Sequence, residues 1–144
     1  LKPESQYILD IFQHAGLKLG IVSNFSHMLP RLLKTLGIFH MFDFITYSDD
    51  VGYDKPSPII FEDALAKLGK GIQSKEVIHI GDSYGGDVLG ARSVGIIPVL
   101  LDPEDGCREQ NCLRINNLLG IADLLGIRHP LTSPHKKREM GQDQ

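Results

Sequence analysis

The chain has 144 residues, 42% hydrophobic and 23% charged, with a formal net charge of −3. That length supports one domain with a real apolar core, and the charge balance gives no electrostatic case for nucleic acid. No apolar run approaches the length needed to span a bilayer.

Cys107 and Cys112 are too few and too close for a disulfide framework or a zinc site. They are expected as free thiols in a reducing compartment, which implies an intracellular, cytoplasmic setting. Leu1 stands where a start methionine would, and the opening residues have no signal-peptide character. The chain is therefore expected to begin after processing or within something longer.

In chain order, residues 3–16 predict a helix. Pro3 suits its first turn, Tyr7, Ile8, Ile11 and Phe12 recur at helical spacing, and Gly16 ends it. The apolar run 17–22 predicts a buried strand ending at Ser23-Asn24. A helix over 27–36 follows, with Leu29, Leu32, Leu33 and Leu36 on one face and Gly37 as its stop. Residues 42–47 predict a second strand, 48–57 a polar loop, and 58–68 a helix opened by Pro58. A third strand, 77–80, runs into Gly81-Asp82, and the Gly85-Gly86 turn leads to a helix over 87–94. The fourth strand, 96–101, contains Pro98, which favours an edge position. A weaker helix is expected over 116–125, and the polar stretch 132–144, with Lys136-Lys137-Arg138, reads as a disordered, solvated tail.

Alternating strands and helices predict an α/β fold, a parallel sheet with helices on both faces. Ligands in such sheets bind beyond the carboxyl ends of the strands, and three of those ends carry chemistry. Ser23 and Asn24 offer a hydroxyl and an amide just ahead of a helix, which forms an anion cradle or a plain N-cap. Asp82 and Asp87 share one glycine-containing turn. Two such carboxylates suit a hard cation such as Mg²⁺, although Asp87 equally suits the cap of the following helix. Lys55, fixed by Pro56, either offsets negative charge beside a phosphate or is simply solvated. His79 lies mid-strand beside these groups, where a hydrogen-bonded core histidine is expected rather than a ligand. Tyr84 either shapes the pocket mouth or covers the turn. Phosphoryl transfer needs anion donors, a cation and a metal, and the hydroxyl, lysine and acidic pair supply those supporting parts in order.

The sequence Ile21-Val22-Ser23-Asn24-Phe25 resembles motif II of the haloacid dehalogenase (HAD) superfamily. The stretch from Val51-Gly52-Tyr53-Asp54-Lys55-Pro56 to Phe61 resembles its motif III, and Ile78-His79-Ile80-Gly81-Asp82 with Asp87 and Gly90-Ala91-Arg92 resembles motif IV. The resemblance runs over residues 1–101. It implies a HAD-like, Rossmann-like core over 1–127, with 128–144 as tail, and a Mg²⁺-dependent phosphatase acting on a small phosphorylated substrate. Ser23, Asn24 and Lys55 would bind the phosphoryl group, Lys55 stabilising charge. Asp82 would contact Mg²⁺, with Asp87 supporting the metal or Lys55.

Motif I of the family, a strand ending in Asp-x-Asp, is absent, as is the helical cap that follows it; Asp10, Asp43 and Asp49-Asp50 do not fit the pattern. The first Asp is the nucleophile and the second the general acid, so the chain by itself is expected to be inactive. The resemblance places that strand between those ending at Ser23 and Asp82, which leaves two unpaired edges and an expectation of marginal stability. A rival reading is a non-catalytic short form that binds phosphate or Mg²⁺, or docks onto a protein. A receiver-type signalling domain would need an acidic pair at the first strand that cannot be placed here.

Overall fold

The computed structural model describes residues 3–106 and 110–129. The predicted tail lies almost wholly outside them, as does Cys107; Cys112 is a free thiol.

Helix α1 (Pro3–His14) leads to β1 (Gly20–Ser23), α2 (Leu29–Thr35), a 3₁₀ turn, and β2 (Phe44–Tyr47). Then come α3 (Ser48–Val51), α4 (Pro58–Leu68), β3 (Ile78–Gly81), a π-helical turn (Tyr84–Val88) and α5 (Leu89–Ser93). The chain continues through β4 (Ile97–Leu101), β5 (Leu113–Ile115) and α6 (Leu119–Leu124). Helix α4 starts as predicted, with Pro58 at its first position and the Ser57 hydroxyl accepting from the Ile59 N–H.

All strand pairs are parallel, in two sheets: β1 with β2, and β3–β4–β5. Among the described residues no strand pairs with the free side of β1 or of β3. Asp43 extends the smaller sheet, its N–H donating to the Leu19 carbonyl at 2.7 Å and its carboxylate accepting from the Leu19 N–H at 2.8 Å.

Side chains alternate across each strand, and the packing shows two covered faces. Ile78, Ile80 and Val99 meet α1 and α6 through Ile8, Phe12, Ile121 and Ala122. Ile21 and Ile45 meet Leu29 and Leu33 of α2, and Leu9 of α1 joins them. On the other face Val22 packs with Ile60 and Phe61 of α4 and Ala91 of α5. Thr46, fully buried on that same face of β2, donates to the Asp63 carboxylate at 2.8 Å. Helix α1 touches both sheets, and the α4–α5 core also takes residues from both, so apolar packing joins what the ladders do not.

Several expectations need correction. Strand β4 is central, because Leu113–Ile115 forms a strand beside it that the sequence does not announce. Successive N–H groups of a parallel strand point to alternate neighbours. That of Ile97 donates to Val77, so the proline nitrogen of Pro98 faces the other way, ahead of the first β4–β5 pair, Val99 with Leu113. The polar loop after β2 contains the one-turn helix α3, ended by Gly52 at φ +85°. The helix expected over 87–94 is a π-helical turn followed by α5. Helix α2 begins at Leu29, with Met28 as its cap residue, so neither Ser23 nor Asn24 caps it.

Candidate functional site

β1 and β3 end at Ser23 and Gly81 and deliver Asn24 and Asp82 to the loops beyond. Lys55, in the loop before α4, reaches between the two sheets.

The Asn24 carboxamide clasps the Lys55 peptide. Its oxygen accepts from the Lys55 N–H at 2.7 Å and its nitrogen donates to the Lys55 carbonyl at 3.4 Å. The Lys55 ammonium donates to Asp87 Oδ1 at 2.5 Å, and His79 Nε2 lies 2.9 Å from the same oxygen. An ionised carboxylate only accepts, so His79 Nε2 carries the proton of that bond. Asp87 Oδ2 accepts from the Ser83 N–H at 3.1 Å. The His79 ring also packs at a right angle to Phe61, with centroids 5.0 Å apart. Asn24, Lys55, Asp87 and His79 thus form one polar chain running from the end of β1 to the middle of β3.

The Asp87 side chain is only 4% exposed and that of Lys55 only 16%. Burial by itself would raise the Asp87 carboxyl, but the bonds from His79, Lys55 and the Ser83 N–H outweigh it and hold the group well below the usual carboxylate range. A depressed folded value means that Asp87 contributes stability above the ordinary carboxylate range, near pH ~4, and loses it as pH falls toward the folded value. The stability difference between the wild type and Asp87→Asn is therefore expected to stay flat from about pH 5 to 7 and to narrow below about pH 4. Urea midpoints across that range check this; a gap that keeps widening down to pH ~3 would refute it.

Asp87 does not cap α5. It lies inside the π-helical turn, and Ser83 is the cap, its hydroxyl accepting from the Gly86 N–H at 3.0 Å. Asp82, just ahead of that turn, is exposed, and its carboxylate has no hydrogen-bond or ion-pair partner among the described residues. The Ser23 hydroxyl is likewise unpartnered there. Lys55 is not solvated, and His79 is a hydrogen-bonded histidine as expected, though its partner is the site carboxylate.

Sequence reasoning missed two features. One is Gly81, where a Cβ would lie 2.0 Å from Asp87 Cγ, so only glycine lets the carboxylate rest against the end of β3. Its signal was the glycine directly before the strand-end aspartate. The other is the lacing of the β1 and β2 loops. The Phe25 N–H donates to Ser48 Oγ at 3.0 Å, and the His27 N–H donates to Asp49 Oδ2 at 2.8 Å. These loops border an open cavity of about 600 Å³ beside Asn24.

A sequence model of haloacid dehalogenase-like hydrolases matches residues 1–95. The chain belongs to that family. This HAD-like chain is 43% identical over 113 residues to haloacid dehalogenase-like hydrolase domain-containing protein 3 of Danio rerio, covering 78% of this chain and 46% of that protein. It is 31% identical over 118 residues to the glyceraldehyde 3-phosphate phosphatase of Methanothermobacter thermautotrophicus, covering 81% and 51%. The crystal structure of a HAD phosphatase from Thermococcus onnurineus superposes with a TM-score of 0.80 at 32% identity, over 88% of this chain and 59% of that one. The chain spans about half the length of the curated relatives it matches. No described helix is long and apolar enough to cross a membrane.

Among the described residues no three His, Cys, Asp or Glu side chains are grouped to hold a metal. Magnesium asks less of the protein, since it keeps several waters and takes one or two carboxylates with phosphate oxygens. Asp82 fits as one such ligand. The Asp87 carboxylate is engaged by Lys55, His79 and the Ser83 N–H.

Proposed function

We propose that this HAD-like chain is the core portion of a magnesium-dependent phosphatase for small phosphorylated substrates. The observation that carries the reading is the Asn24–Lys55–Asp87 chain, which gathers residues of three separate loops on the side of the strands' carboxyl ends, where open parallel sheets bind ligands. The Ser23 hydroxyl donates to a phosphoryl oxygen. Lys55, aimed by Asn24 and Asp87, offsets the charge of the transferring group. Magnesium, bound through Asp82, would supply further neutralisation of phosphoryl charge. The 144 residues contain no Asp-x-Asp, so they offer no nucleophile of the family's kind and no turnover is expected from them unaided.

The test is titration of the 144-residue chain with inorganic phosphate in Mg²⁺ buffer, followed by amide NMR, alongside an assay of phosphate-ester hydrolysis. Shifts centred on Ser23, Asn24 and Lys55 without hydrolysis are expected. Ser23→Ala should weaken phosphate binding about tenfold or more, since a hydrogen bond to a charged partner contributes roughly 1.5–3 kcal/mol. Shifts elsewhere, or equal affinity for the variant, would refute the site. Hydrolysis by the chain would refute its inactivity.

A further inference from the structure

The open cavity beside Asn24 adjoins the proposed phosphate site, and its wall has a definite character. Phe25 and Tyr53 both line it and are 41% and 52% exposed, so neither ring is spent on the core. Asp49 and Asp54 line it too, and no lysine or arginine does.

The wall is built in advance. Ser48 Oγ exchanges hydrogen bonds with the Phe25 backbone, at 3.0 and 3.3 Å, and the Asp49 N–H donates to the Phe25 carbonyl at 3.2 Å. Asp49 is held by the His27 N–H and the imidazole, at 2.8 and 3.1 Å, and the backbone bond leads the interactions that keep its carboxyl low. The Asp54 carboxylate has no partner among the described residues, while its carbonyl accepts from the Ser57 N–H at 2.9 Å. Gly52, at φ +85°, turns the chain from α3 so that Tyr53 and Asp54 follow on the same rim.

We infer that this cavity receives the alcohol portion of the phosphate monoester and selects alcohols that carry hydrogen-bond donors and no second negative charge. The inference rests on the phosphatase reading and deepens it. Ionised carboxylates only accept, so they reward hydroxyl or ammonium groups. The two rings offer faces for the C–H side of a polyol or for a cation. A carboxylate or second phosphate on the substrate would meet like charge, with no cationic side chain in the wall to receive it. At a few ångströms in an open, salt-containing site this disfavours the anionic ligand about tenfold.

The experiment compares inorganic phosphate, glycerol 3-phosphate and 3-phosphoglycerate, the last two differing by a hydroxymethyl group in place of a carboxylate. Each is titrated into the 144-residue chain in Mg²⁺ buffer and followed by amide NMR. Glycerol 3-phosphate is expected to bind about tenfold tighter than 3-phosphoglycerate and to shift Phe25, Tyr53 and Asp54. Asp54→Asn should narrow that ratio several-fold, and Tyr53→Ala should weaken glycerol 3-phosphate more than inorganic phosphate. Equal affinities for the two esters, or an unchanged ratio in Asp54→Asn, overturns the inference while phosphate binding stands. Absence of any phosphate-linked shift at Ser23, Asn24 and Lys55 overturns both readings together.

Discussion

Replacing Asp87 with alanine is expected to lower the unfolding free energy by about 3–5 kcal/mol, the cost of stripping one partner from a buried ion pair. The truncation leaves the Lys55 ammonium, the His79 Nε2–H and the Ser83 N–H without their acceptor. Water does not readily replace it, since the Asp87 side chain is 4% exposed. Against a typical total of roughly 5–15 kcal/mol, that is about a fifth of the stability or more, and the thermal midpoint should fall by about 10 °C. Asp82→Ala is the control. The same residue type just ahead of that turn, exposed and without a described side-chain partner, should change stability by no more than about 0.5 kcal/mol. Urea denaturation of both variants decides: losses that match, or a loss below about 1 kcal/mol at Asp87, would remove the ion pair from its proposed structural role.

Much of this fold was legible from periodicity. The helical spacing of Tyr7, Ile8, Ile11 and Phe12 and the short apolar runs at β1, β2 and β3 announce an alternating α/β chain. What stayed hidden has physical reasons. Strand β5 is three residues long, and Leu113-Arg114-Ile115 is too brief for alternation to stand out. Pro98 reads as an edge signal, yet only the direction of one missing N–H matters, and that depends on register. The π-helical turn at Tyr84–Val88 has no pattern of its own.

At the site, residue types and order were readable because each candidate follows an apolar strand. The division of labour was not. Asp82 and Asp87 look equivalent in sequence, but one is exposed and the other buried under Lys55 and His79. Only the fold brings a lysine and a histidine, 24 residues apart in sequence (79 minus 55), onto one carboxylate oxygen.

The two sheets give that carboxylate a second task. No ladder joins β1 to β3 among the described residues. Cohesion across the divide therefore comes from α1, from the core around Phe61, and from the polar chain between Asn24 and His79. The residues that position the lysine also tie one half of the sheet to the other. Changes at Asp87 are expected to affect stability and anion binding together for this reason.

Gly81→Ala should reach a similar magnitude without removing any polar group. The new Cβ would lie 2.0 Å from Asp87 Cγ, 2.2 Å from Oδ2 and 2.4 Å from Cβ. Overpacking alone costs about 1–3 kcal/mol. Here the obstructing side chain is short and held at both oxygens, so it cannot swing aside and keep its partners. Displacing it breaks the ion pair as well, which brings the expected loss to about 3–5 kcal/mol. Gly85→Ala meets nothing within 4 Å and should be nearly silent. Because the clash includes Asp87 Cβ, the test of mechanism is a double-mutant cycle with Asp87→Gly. Once that side chain is gone, Gly81→Ala should cost little more, a coupling of several kcal/mol between adjacent sites. Additive losses in the cycle would place the effect of Gly81 in the strand backbone rather than in the seat it provides for the carboxylate.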